Sequence, residues 1–275
     1  GALVLVLSKT QHALVGICLI AGLGLPLVRR RMGLGSAGAA FAGGLLLLAM
    51  AASFVIVPGY YRVMGSYNVI FYEILPHSKD VGADLADLHL DDSYRPYIGT
   101  HSFDPASGMQ HREFIEAFSK RTSNVGLLGY YASHPAITLR VLKNALGQAG
   151  RQRAAMGNFD ASSGLPDYAE SSAFSLWSGA KRSLFEGKGG RYLWASFALF
   201  ALCGFAVIRD AKQGTGIAGT GLLAGLLAAV ALVEMLASGL ADVLDVTRHY
   251  YLFGALWDCL LMLLVLSAIG RAQRD

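Results

Sequence analysis

The sequence predicts an all-α polytopic membrane protein. It has about five complete transmembrane helices plus one truncated helix, with a mainly helical extracytoplasmic domain inserted between the second and third complete spans. Three observations carry that prediction. The 275 residues are 54% hydrophobic and 15% charged, with a mean hydropathy of +0.45, whereas soluble domains carry about 25% charged residues. Apolar runs of bilayer-crossing length, roughly 17 to 25 residues, recur at 12–28, 36–58, 192–208, 215–237 and 250–270. Between the second and third runs lies a segment too long, and too apolar in patches, to be a linker.

Each element follows in chain order. "GALVLVLSKTQ" has neither an initiator Met nor a charged leading region, so it does not read as a signal peptide. Residues 1–7 read as the tail of a severed transmembrane helix, and the chain as the C-terminal part of a larger protein. Arg29, Arg30 and Arg31, then Arg209 and Lys212, then Arg271 and Arg274 fall at alternate span ends, a positive-inside pattern that makes those ends cytoplasmic. Residues 8–11, 59–191 and 238–249 then lie on the extracytoplasmic side. Arg182, Lys188 and Arg191 stand near a span end on that side, but long loops translocate largely regardless of charge.

The chain thus divides into 1–58, a truncated helix plus two transmembrane helices, 59–191, an extracytoplasmic domain, and 192–275, three transmembrane helices. It is expected in the plasma membrane of the cell as a multi-pass protein in direct contact with the lipid bilayer. Gly35, Ala39 and Gly43, and then Gly221 and Gly225, have the small-xxx-small spacing that lets helix backbones approach, here read as packing within the chain. No repeat is visible, which weighs against a transporter built from repeats.

Within 59–191, "DVGADLADLHL" sets Val81, Leu85 and Leu88 on one face of a helix and Asp80, Asp84, Asp87 and Asp91 on another. Such a stripe has the charge to bind a divalent cation, the one cofactor left open. Hard-cation sites draw oxygen ligands from a turn, however, and no DxDxDG loop is present, so the stripe reads as a solvated face. "SHPAITLRVLKNALGQAG" predicts a helix that starts at Pro135, buries Ile137, Val141 and Leu142, and ends at Gly147 or Gly150. Arg140 and Lys143 lie on its polar side, and it fits an interfacial helix or an ordinary domain helix equally. "YNVIFYEIL" has strand propensity but is read as helix.

Cys18, Cys203 and Cys259 all fall in apolar runs without CxxC or Cys/His spacing, so neither a disulfide framework nor a structural zinc site is supported and no metal ligands are assigned. A net charge of +4 is small, and nucleic acid is not an expected partner. No GxSxG, P-loop, HExxH or GxGxxG stands in its required context, and the glycine-rich stretch 214–221 lies inside an apolar span with no strand before it.

The chemistry-bearing residues cluster at the extracytoplasmic span ends. Lys9 and Gln11 end the severed helix, and Arg248 and His249 open the last span behind Asp242 and Asp245. Two loops therefore offer cations at one membrane depth, where a lipid phosphate sits. Arg binds phosphate in bidentate fashion and Lys supplies a point charge. The bland alternative for each is a snorkelling interfacial residue. Glu234 and Asp258, ionisable groups inside spans, are expected to pair within the bundle, Glu234 with Arg248 as a candidate partner. Tyr250, Tyr251 and Trp257 read as an aromatic belt.

Taken together, "SKTQH" (8–12), "YNVIFYEILPHSKDVGADLADLHLD" (67–91), "YYASHP" (130–135), "GNFDASSGLP" (157–166), "FSLWS" (174–178) and "DVTRHYYLFGALWD" (245–258) resemble the C-terminal half of bacterial polytopic glycosyltransferases of the GT-C type, those of surface-glycan biosynthesis in particular. The resemblance implies an enzyme that takes a hexose from a polyprenyl-phosphate carrier, its lipid-linked sugar donor, and attaches it to a glycan acceptor on the extracytoplasmic side. It also implies that the catalytic carboxylate, carried by an early loop in such enzymes, lies outside this chain, so the catalytic residues are unknown. Lys9, Gln11, Arg248 and His249 would contact the carrier phosphate, supported by Glu234, Asp245 and Tyr250. Two other classes stay open: a secondary transporter, which would gather ionisable groups near the midplane, and a non-enzymatic membrane protein with an external binding domain.

Overall fold

The computed structural model describes residues 2–8, 10–56, 59–151, 159–166, 169, 175–213 and 218–273. Among them the chain is helical and contains no strand. Four helices among the described residues are long and apolar enough to cross a membrane, and the protein is a multi-pass membrane protein.

The chain opens with α1 (Ala2–Ser8), a 3₁₀ turn (Thr10–Leu14), α2 (Val15–Gly24) and α3 (Pro26–Arg31). The run at 12–28 is therefore not one crossing helix but a shorter apolar helix followed by a break. Pro26 is the reason: the proline ring disfavours the helical region for the residue before it, and Leu25 takes φ −76°, ψ 123°. α4 (Ser36–Ile56) has no such interruption, and its 21 residues reach about 30 Å, the thickness of the hydrocarbon core.

The segment between α4 and the later long helices begins with α5 (Gly59–Tyr67), which runs on through a π-helical stretch (Asn68–Ile74) and a 3₁₀ turn (Leu75–His77). The strand propensity of Val69, Ile70 and Phe71 is overridden because all three are buried in one cluster with Tyr67, Leu85 and Phe118. α6 (Val81–Asp87), α7 (Arg112–Arg121), α8 (Asn124–Ser133) and α9 (Pro135–Ala149) surround that cluster, and the rings of Tyr67, Phe71, Tyr94, Phe114 and Phe118 form its aromatic centre. α9 begins at Pro135 and ends before Gly150, with Val141 and Leu142 buried, as its pattern predicts. The aspartates of the acidic stripe are engaged in the fold. Asp80 caps α6, Asp84 accepts from Tyr130 Oη at 2.7 Å, Asp87 meets His134 at 3.3 Å and Asp91 meets Arg121 at 2.6 Å.

α10 (Leu176–Phe185) leads into α11 (Gly189–Gln213), α12 (Ala218–Ala241), the short α13 (Val246–His249) and α14 (Tyr251–Ala272). α12 is the central span: half of its apolar window is buried, against 17–28% for the other three. It packs on α2, α9, α11 and α14. A side chain at Gly225 would meet Val207 at 2.7 Å, so this small residue serves the close approach of α12 to α11 within the chain. The apolar side chains left exposed on the spans, among them Leu48, Phe205 and Leu266, form the lipid-facing surface.

α9 joins the two halves of the structure. Val141 belongs to the core of the domain built on α5–α9, while Ala145, Leu146 and Ala149 belong to the core of the bundle. The domain also sits directly on the end of α12. Tyr131 Oη donates to the Leu240 carbonyl at 3.2 Å, Asn68 donates to Asp242 at 3.3 Å, and Val243 is buried in the domain core.

Candidate functional site

A cleft of about 890 Å³ lies where the π-helical stretch, α9, the turn between α10 and α11, and α13 converge. Its shape depends on glycine. Gly187 adopts φ +67°, a conformation that side chains disfavour, and its N–H donates to the Gly147 carbonyl at 2.9 Å. A Cβ at Gly189 would fall on the Lys143 carbonyl. The sequence therefore spends "GKGG" on bringing one backbone against another, which leaves Lys143, Asn144, Lys188 and Arg191 around a common space.

The charges in the cleft are unequal in kind. Lys143, Arg151, Lys188 and Arg191 supply cations, and Glu73 and Glu186 supply carboxyl groups. Glu186 is exposed and lies 3.8 Å from Arg151 and 3.7 Å from Arg182. Glu73 is buried, and its Oε1 accepts from Asn144 Nδ2 at 2.8 Å. Arg140 Nη2 donates to the Glu73 carbonyl at 3.4 Å. Burial pushes the Glu73 carboxyl above its ordinary range, opposed by the Asn144 hydrogen bond and the charge of Arg140. Four cations beside one largely desolvated carboxyl suit an anionic ligand and a proton transfer.

A second polar chain runs beneath the domain. Glu234, fully buried, lies 3.3 Å from His12 Nε2 and accepts from Ser238 at 3.3 Å. Ser238 also donates to the His249 carbonyl at 2.9 Å. His249 Nε2 lies 4.0 Å from Asp242, which accepts from Asn68, and Asn68 accepts from the Ser102 N–H at 2.8 Å.

Of the residues named from sequence, Lys9 and the side chain of Gln11 lie outside the described residues. Glu234 does pair inside the bundle, but with His12 in place of Arg248. Arg248 is 71% exposed and turns to Asp245 Oδ2 at 2.8 Å, because Asp245 takes a left-handed conformation (φ 50°) that starts α13 and sets the two within one turn. Thr247, the neighbour of Arg248, lines the cleft. Tyr250 and Trp257 are not belt residues. The Tyr250 hydroxyl donates to the Met235 carbonyl at 2.9 Å, Trp257 packs on Phe185 and Tyr192, and both are buried, leaving Tyr251 exposed. Asp258 meets Lys181 Nζ at 2.8 Å.

Residues 1–274 match the family described as the YfdI N-terminal transmembrane domain. The chain belongs to that family. By its description the YfdI domain is N-terminal, whereas the resemblance in the sequence implied a C-terminal half. The chain matches no curated protein and no solved structure. Sequence reasoning on this YfdI-type domain missed Glu73, Asn144 and Lys181 as polar residues of consequence. Glu73 stands in a run of apolar residues, "NVIFYEIL", and that isolation was the available signal.

Proposed function

We propose that this YfdI-type domain is part of an integral membrane glycosyltransferase. It moves a hexose from a polyprenyl-phosphate carrier to a glycan acceptor on the extracytoplasmic face of the plasma membrane. The observation that carries the reading is the cleft where Lys143 and Arg151, on and just after α9, meet Lys188 and Arg191 at the start of α11. A polyprenyl carrier keeps its chain in lipid and its phosphate at the headgroup level, where those cations stand. Glycosyl transfer passes through an oxocarbenium-like transition state, and the departing phosphate gains negative charge that preorganised cations stabilise. Supporting the orientation, Arg29, Arg30 and Arg209 lie at the opposite helix ends, the cytoplasmic ends by the positive-inside rule.

In this proposal Arg248 and His249, which follow the cleft-lining Thr247 on α13, join Lys9 and Gln11 in holding the carrier phosphate. Arg248 exchanges Asp245 for the ligand. The test uses the full-length protein in native membranes with a radiolabelled polyprenyl-phosphate hexose. Lys188→Ala with Arg191→Ala weakens donor binding at least about tenfold, as expected for the loss of two charge-assisted contacts, and Arg248→Ala abolishes transfer without loss of membrane insertion. Unchanged donor binding in the double variant, or no transfer by the unaltered protein with any polyprenyl-phosphate hexose, overturns the reading.

A further inference from the structure

Glu73 differs from every other carboxyl near the cleft. Glu186 is exposed between two guanidinium groups, Asp245 is taken by Arg248, Asp242 by Asn68 and the Leu244 N–H, and Asp258 by Lys181. Glu73 is buried to 9% exposure yet lines the cleft, and among the described residues its one side-chain bond is neutral, from Asn144. A buried carboxyl held by a single neutral side-chain hydrogen bond is costly to keep ionised. An Asn that holds one oxygen and leaves the other toward a cleft is an arrangement for a group that works rather than one that packs.

The backbone points the same way. Asn68–Ile74 is π-helical, a rare geometry that recurs at functional sites. In it Phe71 and Ile74 join the domain core while Glu73 lines the cleft, and Arg140 Nη2 ties the Glu73 carbonyl to α9. Residues 73 and 144 thus meet across two elements that the chain separates widely, each of which packs its apolar neighbours into a core.

Resting on the glycosyltransferase reading above, but departing from the expectation that its catalytic carboxylate lies outside this chain, we infer that Glu73 is the catalytic base of the transfer and Asn144 its positioning residue. The acceptor hydroxyl oxygen attacks C1 of the hexose, and the C1–O bond to the carrier phosphate breaks with its electron pair kept by the phosphate oxygen. The hydroxyl proton passes to the Glu73 carboxylate, which later releases it to water. The cleft cations oppose the charge that collects on the phosphate. The raised proton affinity of Glu73 suits this role, since a base is most effective when its pKa approaches the working pH.

The test again uses the full-length protein in membranes, with polyprenyl-phosphate hexose as donor. Glu73→Gln keeps an oxygen acceptor for Asn144, so it folds, binds donor within twofold of the unaltered protein, and loses at least about 100-fold in kcat. Asn144→Ala removes a hydrogen bond that favours the ionised carboxylate, so the acid limb of the kcat/KM profile moves to higher pH while donor affinity holds. Normal kcat in Glu73→Gln, or an unmoved acid limb in Asn144→Ala, overturns the assignment. If Glu73→Gln fails to insert, the Asn144→Ala profile decides alone. Absence of donor binding and transfer in the unaltered protein defeats the underlying function instead, and transfer that survives in Glu73→Gln defeats only the role of Glu73.

Discussion

His12 Nε2 lies 3.3 Å from Glu234 Oε1, tying the turn after α1 to the central span at the end on which the α5–α9 domain sits. Glu234 is fully buried and His12 is 16% exposed, so the contact sits in low-dielectric surroundings where polar pairs are costly to break. Through Ser238 it continues to the His249 backbone. A double-mutant cycle with His12→Ala and Glu234→Ala measures the link. A coupling of about 0.5–3 kcal/mol is expected in thermal unfolding in detergent, and additive effects would refute it.

Lys181 and Asp258 make the second prediction. Lys181 is 1% exposed, lies 2.8 Å from Asp258 and stands over the Trp257 ring at 5.3 Å. Asp258→Ala strands a buried ammonium and destabilises by about 3 kcal/mol, the lower part of the range for a broken buried pair because Asp258 is 30% exposed. Replacing both, Lys181→Met with Asp258→Leu, restores much of the loss. A melting temperature no higher than that of the single variant would contradict this account.

Glu73 sets a pH dependence of stability. Its carboxyl is raised in the folded protein, so the folded state binds more protons than the unfolded chain between the ordinary and the raised value. Stability therefore falls as pH rises through that window. Glu73→Gln removes this slope. Melting curves of both proteins at a series of pH values from 4 upward check it, and parallel curves would count against it.

Gly189 is predicted to be intolerant of substitution. A Cβ there would fall on the Lys143 carbonyl, backbone that cannot swing aside as a flexible side chain does. Gly189→Ala is expected to cost about 1–3 kcal/mol and to displace α11 from α9, with donor binding reduced in the same preparation. Gly190→Ala, at a position with open space around it, serves as the control.

Topology gives the last prediction. Thr247→Cys, on the turn beside the cleft, reacts with a membrane-impermeant maleimide in intact cells, and Met32→Cys, at the opposite helix ends, reacts only after permeabilisation. The reverse pattern would place the cleft in the cytosol and remove the proposed donor site.

The crossing helices of this protein were legible in the sequence because their signal is one-dimensional: α4, α11, α12 and α14 are unbroken apolar runs, and a bilayer asks only for length and hydrophobicity. The α9 helix was equally plain, since Pro135 and Gly150 punctuate it and Val141 and Leu142 mark its buried side. Even the break after α2 is written in Pro26, which interrupts the run at 12–28 without changing its hydrophobicity.

The site was another matter. Sequence reasoning paired Glu234 with Arg248 by nearness along the chain, whereas the fold brings His12 to Glu234 from more than two hundred residues away and leaves Arg248 to Asp245. Glu73 and Asn144 carry no mutual signal in the sequence, because hydrogen-bond partners and desolvation belong to three-dimensional neighbours and not to local period. Hydrophobicity and helix punctuation act on the chain locally and can be read from it. The choice of which buried polar group faces which is made only when helices pack, and here the packing of α9 against both the domain and the spans made it.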